Sequence, residues 1–261
     1  MELIDTHCHL AFEQYAGNIE AVLERSKAAG VTGWVTIGTN TQENRKAVEL
    51  AGRFENMYAT AGIHPHYAKD VTADDFAELK RLAQNQKVVA IGETGLDFHY
   101  NPDKSGQTDQ KRVFVEQLEL ARQMNLPVVV HSRDAFDDTI EILDRFGEGV
   151  KRVVFHCFGG SAEQARIVIE KGFYVSFTGA VTFKNAENLR QVAALVPLGR
   201  LMVETDCPYM SPEPMRKQKI NEPALMIHTV RRLAELKEMD LADFVDSVTA
   251  VSRNFFDLPH K

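Results

Sequence analysis

The chain opens with Asp5-Thr6-His7-Cys8-His9. Side chains two apart on an extended strand share a face, so His7 and His9 can converge on one ion while Cys8 turns away. More imidazoles and carboxylates recur where short apolar runs stop. Glu93 follows Val88–Ile91, His131 follows Val128–Val130, His156 follows Val153–Phe155, and Asp206 lies just past Leu201–Val203. One polar residue at a strand end reads as a cap. Six at matching ends read better as a metal centre. Four imidazoles and two carboxylates are a donor set for two divalent ions, and mixed nitrogen and oxygen ligands suit Zn²⁺ or Mn²⁺. A carboxylate such as Glu93 can bridge both. Paired ions lower the pKa of a shared water and clamp a phosphodiester oxygen. Asp206 is the candidate to accept that water's proton, while also ligating one ion. No Ser-His-Asp arrangement or P-loop stands out as a rival chemistry. Cys8, Cys157 and Cys207 each follow a candidate ligand by one residue and read as small core residues, with a nucleophilic cysteine as the alternative.

These residues need a scaffold that brings distant strand ends together. Eight short apolar runs occur: Leu3-Ile4, Trp34–Ile37, Met57–Thr60, Val88–Ile91, Val128–Val130, Val153–Phe155, Phe173–Ser176 and Leu201–Val203. Helically spaced stripes lie between them, on Ile19/Val22/Leu23, Phe76/Leu79/Leu82, Val113/Leu118/Ala121, Ile140/Leu143/Phe146 and Ala165/Val168/Ile169. Thr72, Thr108 and Ser161 are candidate N-caps. Strand–helix pairs of roughly 30 residues fit an α/β fold, a single (β/α)8 TIM barrel, whose sites form at the carboxyl ends of the strands. An open doubly wound sheet is the runner-up, but no glycine-rich dinucleotide fingerprint follows the first strand. No composition break divides the chain, so one barrel domain over residues 1–261 is expected. The longest candidate loops are Gly95 to Gln107 and Cys207 to Asn221, both following strands.

The formal charge of −7 argues against holding nucleic acid mainly by a basic surface, though metal ions can supply positive charge locally. Hydrophobic residues make up 44% and charged residues 26%, which excludes a disordered or collagen-like chain. No apolar run long enough for a transmembrane helix and no secretory signal is visible. Three widely spaced cysteines do not make a disulfide framework. A cytoplasmic enzyme without a membrane or an obligate protein partner is expected.

The sequence resembles the TatD family of metal-dependent hydrolases nearly end to end. The resemblance runs through Asp5–His9, Gly62-Ile63-His64-Pro65-His66, Gly92–Asp97, His131–Ala135, His156-Cys157-Phe158, Glu204-Thr205-Asp206, Asn221-Glu222-Pro223 and Asn254-Phe255-Phe256. It implies an amidohydrolase-like (β/α)8 barrel with two divalent ions per subunit, Zn, Mn or Mg. His7, His9, Glu93 and Asp206 would hold one, and Glu93, His131 and His156 the other. It implies a deoxyribonuclease, often an exonuclease, acting on DNA, with RNA as the alternative. Matching positions suggest substrate contacts at His64, His66, Arg133 and Lys184, and support or an additional metal position at Glu204. His64 or His66 could instead prop the metal ligands, Arg133 could pair with Asp134 or Asp137, and Lys184 could be an exposed helix-start lysine. Asn221 and Glu222 would cap the last barrel helix, with Pro223 in its first turn. The sequence departs from the family at Arg216–Ile220, where a compact Arg-Gly-Lys segment is usual. Competing readings are a two-metal hydrolase of an amide, lactone or aminoacyl-tRNA ester on the same scaffold, and a non-catalytic metal-binding protein.

Overall fold

The computed structural model describes residues 2–100 and 104–259. Eight strands alternate with helices: β1 Leu3–Cys8, β2 Val31–Thr36, β3 Met57–Ala61, β4 Val88–Asp97, β5 Val128–Arg133, β6 Val153–Phe155, β7 Tyr174–Phe177 and β8 Leu201–Val203. Their order in the sheet is their order in the chain, and β1–β2, β3–β4, β4–β5, β5–β6 and β7–β8 all pair in parallel. The helices are α1 Ile19–Ala28, α2 Thr41–Arg53, α3 Ala73–Leu82, α4 Lys104–Met124, α5 Phe136–Phe146, α6 Ala162–Glu170, α7 Glu187–Leu195, α8 Met226–Leu236 and α9 Leu241–Phe256. The fold class is the expected α/β (β/α)8 barrel. No helix among the described residues is long and apolar enough to cross a membrane.

The chain divides into two compact units. The first runs up to Thr36 and resumes at Cys157. Its core holds Trp34, Phe177, Phe244 and Phe255, all fully buried. Leu3 pairs with Val31 and Cys8 with Thr36, while Val175 to Phe177 pair with Leu201 to Val203. A single bridge joins Cys8 to Cys207, which brings the end of β1 beside the segment after β8. α6 starts where the sequence predicts, because Ser161 and Gln164 form a reciprocal capping box.

The second unit is Ile37–His156. β4 pairs with β3 on one side and β5 on the other. Its register against β5 slips between Ile91 and Thr94, so Gly92 and Glu93 form a bulge, a device that re-aims a side chain. Asn44 closes a two-way bond with the backbone of Gly62, and Gln117 does the same with Ile63. These buried amides hold the chain just before His64. Thr72 caps α3 with Asp75 as predicted.

Other expectations differ in detail. Thr108 is not a cap, because α4 already begins at Lys104. Gly95 to Asp97 belong to β4 rather than to a loop, while residues 101–103 of the expected loop lie outside the described residues. Glu222, not Asn221, occupies the cap position before the short 3-10 turn Pro223–Leu225 that leads into α8. The Asn221 amide is drawn instead to the carbonyls of Thr205 and Tyr209.

Candidate metal centre

In the first unit, β1 carries His7, and His9 follows one residue past its end. Their Nε2 atoms lie 3.3 Å apart, as strand alternation requires. Asp206 Oδ1 is 3.6 Å from His7 Nε2 and 3.3 Å from His9 Nε2. Asp206 is placed by a built turn. Its φ is +52°, its amide donates to His7 O at 2.9 Å, and neighbouring Thr205 is tied to Asp5 through both its amide (3.0 Å) and its hydroxyl (2.6 Å). Burial pushes the Asp5 carboxyl up to about 7, against the lowering effect of the Thr205 bonds. Cys8 turns away, its thiol on Val35 O, as expected.

Glu204 accepts from Ser176 Oγ at 2.5 Å and from the Cys157 amide at 2.7 Å. One of its oxygens therefore supports the backbone at Cys157 and the other holds the Ser176 side chain. β8 ends at Val203, so strand alternation does not relate Glu204 to Asp206. Lys184 is exposed between the 3-10 turn Gly179–Thr182 and α7. The Arg216 guanidinium lies 3.5 Å from the centroid of the Phe183 ring.

In the second unit, Glu93 is the sixth residue of the ten-residue β4, at the bulge, with its amide on Gly38 O. Its Oε1 is 2.8 Å from His131 Nδ1, 2.8 Å from His156 Nε2 and 3.4 Å from His64 Nε2. His131 Nδ1 and His156 Nε2 are 3.3 Å apart. Burial alone would raise the Glu93 carboxyl, but the imidazoles of His156, His64 and His131 outweigh it and hold it well below the usual carboxylate range. His131 is raised because its bonds to Asp97 and Glu93 overcome burial. His64 is lowered to about 4, chiefly by burial, and is neutral at pH 7.

The donor chemistry fits divalent ions. Two nitrogens held about 2.05 Å from a tetrahedral ion sit roughly 3.3 Å apart. That is the spacing of the His7/His9 pair and of the His131/His156 pair. His64, Glu93 and His131 also place one donor atom each within 4.8 Å of one another. His64 differs from the other ligand candidates, because its Nδ1 accepts the His66 amide at 3.1 Å. Its one proton then rests on Nε2, making that edge a hydrogen-bond donor.

His66 is exposed, and its Nε2 is 3.0 Å from Asp97 Oδ2. Arg133 is exposed and its guanidinium lies over Tyr100, 5.0 Å from the ring centroid, while Asp134 pairs with His99 at 2.9 Å. Sequence reasoning passed over Asp97, Tyr100 and His99. Asp97 lies inside the Gly92–Asp97 motif, but no periodicity carries a strand through Gly92 and Gly95 to reach it.

The family described as TatD related DNase matches residues 4–257. YabD of Bacillus subtilis (strain 168), named an uncharacterized metal-dependent hydrolase, is 42% identical over 97% of this chain and 98% of its own length. The 3'-5' ssDNA/RNA exonuclease TatD of Escherichia fergusonii is 36% identical over 92% of this chain and 93% of its own. Among solved structures, the TatD homolog YJJV from Escherichia coli K12 superposes with a TM-score of 0.91 at 30% identity, covering 98% of both chains.

Proposed function

The chain belongs to the TatD related DNase family of metal-dependent hydrolases, and from that premise we propose that it is a divalent-metal-dependent deoxyribonuclease that shortens single-stranded DNA, or RNA, from an end. The observation that carries the metal part of this reading is the convergence of His131 Nδ1 and His156 Nε2 on Glu93 Oε1, each at 2.8 Å. The exonuclease part rests on the likeness to relatives named for that activity.

His7, His9 and Asp206 would hold one ion, and Glu93, His131 and His156 the second. Bound divalent ions would lower the pKa of water and offset charge on phosphate oxygens. The chain's own groups do the rest. Asp206 accepts the proton of the attacking water. His64, neutral and protonated at Nε2, donates to a phosphate oxygen. Arg133 offers its planar fork to a further phosphate, and the exposed His66 and Lys184 add contacts along the strand. Glu204 supports the backbone around Cys157. One domain spans residues 1–261.

Variants separate these roles. Glu93→Ala and Asp206→Ala should each lower kcat by at least about 10³-fold, while circular dichroism stays that of the wild type. Arg133→Ala should raise KM and leave kcat nearly unchanged. Wild-type turnover in either carboxylate variant would overturn the assignment.

A further inference from the structure

The Glu93 cluster uses only one edge of the His131 ring. Nδ1 faces Glu93 and His156, and Nε2 lies 3.1 Å from Asp97 Oδ2. An ionised carboxylate can only accept a hydrogen bond, so His131 must donate from Nε2. Glu93 likewise faces Nδ1 in the metal-free ring, but an ion held among Glu93, His131 and His156 would take the Nδ1 lone pair, and the one proton left on the neutral imidazole then rests on Nε2, toward Asp97.

We propose that Asp97 is a positioning residue that holds His131 in the tautomer and orientation needed to present Nδ1 to a divalent metal ion. The inference rests on reading Glu93, His131 and His156 as metal ligands.

Asp97 is itself firmly placed. It is 1% exposed. Its Oδ1 accepts the amides of His99 (3.0 Å) and Tyr100 (3.3 Å), which leaves Oδ2 for the imidazoles of His131 and His66. Its backbone is gripped from α4, where Gln110 Oε1 accepts the Asp97 amide at 2.8 Å and Gln110 Nε2 donates to its carbonyl at 3.0 Å. Along the β4–β5 ladder Gly95 lies opposite His131 and Asp97 opposite Arg133, so the two strands run side by side where the bond forms. A carboxylate that orients a ligating histidine through the ring's far nitrogen is a recurrent way to raise ligand basicity, and losing it costs 10- to 100-fold in metal affinity.

Asn at this position is the informative change. Its Oδ1 can still accept the two backbone amides, while its NH₂ is turned against two imidazole donors. Zn²⁺ binding to metal-free wild type and Asp97→Asn is measured by calorimetry. In parallel, ¹⁵N spectra of histidine-labelled, Zn²⁺-loaded wild type are recorded, with His131 assigned by its loss in His131→Asn. The expected result is at least one Zn²⁺ binding step weakened 10- to 100-fold in Asp97→Asn, and a wild-type His131 ring protonated on Nε2 and metal-bound through Nδ1. Unchanged affinity in a folded Asp97→Asn variant overturns the inference. So does a ring that is metal-bound through Nε2. If Asp97→Asn fails to fold, the wild-type spectrum decides alone. Wild type that binds Zn²⁺ without Asp97 dependence sinks only this inference. Wild type that binds no Zn²⁺ sinks the metal reading and this inference together.

Discussion

Asp5 is fully buried, with the amide and hydroxyl of Thr205 and the amide of His7 as donors to it, and burial raises its carboxyl from 3.8 to about 7. The folded chain therefore holds this proton more tightly than the unfolded chain. The stability it contributes is fully present below about pH 4 and is lost as pH rises through about 7. Asn keeps the size and polarity but cannot ionise. In the metal-free protein, Asp5→Asn should remove a fall on the order of 4 kcal/mol between those limits. Urea midpoints measured across that range check it, and a wild-type slope in the variant would show that Asp5 titrates elsewhere. His64 shows how a local bond sets a role. The His66 amide occupies its Nδ1 and leaves Nε2 as a donor. Residue type alone marks His64 as a ligand or a contact, and only the turn at Pro65 distinguishes them. Most of the ligand candidates were legible because each polar residue interrupts an apolar run. Asp97 was not, since its role depends on which edge of another ring it meets.

At the scale of elements, β4 depends on a close approach to β5. Gly95 has a φ of +132°, and a Cβ there would lie 2.1 Å from His131 O. Gly95→Ala combines a disfavoured backbone with a clash against main chain. It should cost about 3 kcal/mol or more and disturb Asp97 and His131 together. Thermal unfolding checks this, and a midpoint within a degree of wild type would contradict it. All eight strands were visible as apolar runs because buried parallel strands are apolar on both faces. Their ends were not, because β1 continues through Asp5, Thr6 and His7 and β4 through its bulge, where buried polar side chains find hydrogen-bond partners on other segments. α3 and α6 declared themselves through their capping boxes. α2 did not stand out, as Thr41 to Lys46 is an unbroken polar stretch whose start is set by the Asn40 side chain accepting two backbone amides.

At the scale of the whole molecule, a net charge of −7 leaves little general attraction for a polyanion. On the proposed reading, grip on a nucleic acid comes from bound ions and a few placed cations. The metal-free protein should therefore show no saturable binding of a labelled oligonucleotide below about 100 µM at physiological salt. Nanomolar binding by metal-free protein, read by fluorescence anisotropy, would point to a basic surface instead. The central claim is that His7, His9, Glu93, His131, His156 and Asp206 hold divalent ions for phosphodiester hydrolysis. The direct measurement is digestion of end-labelled single-stranded DNA by chelated protein, then by protein reloaded with Mg²⁺, Mn²⁺ or Zn²⁺, with Glu93→Ala alongside. The account predicts progressive shortening from one end that needs both a metal and Glu93. Intact DNA with every metal, from folded and metal-loaded wild type, would contradict it.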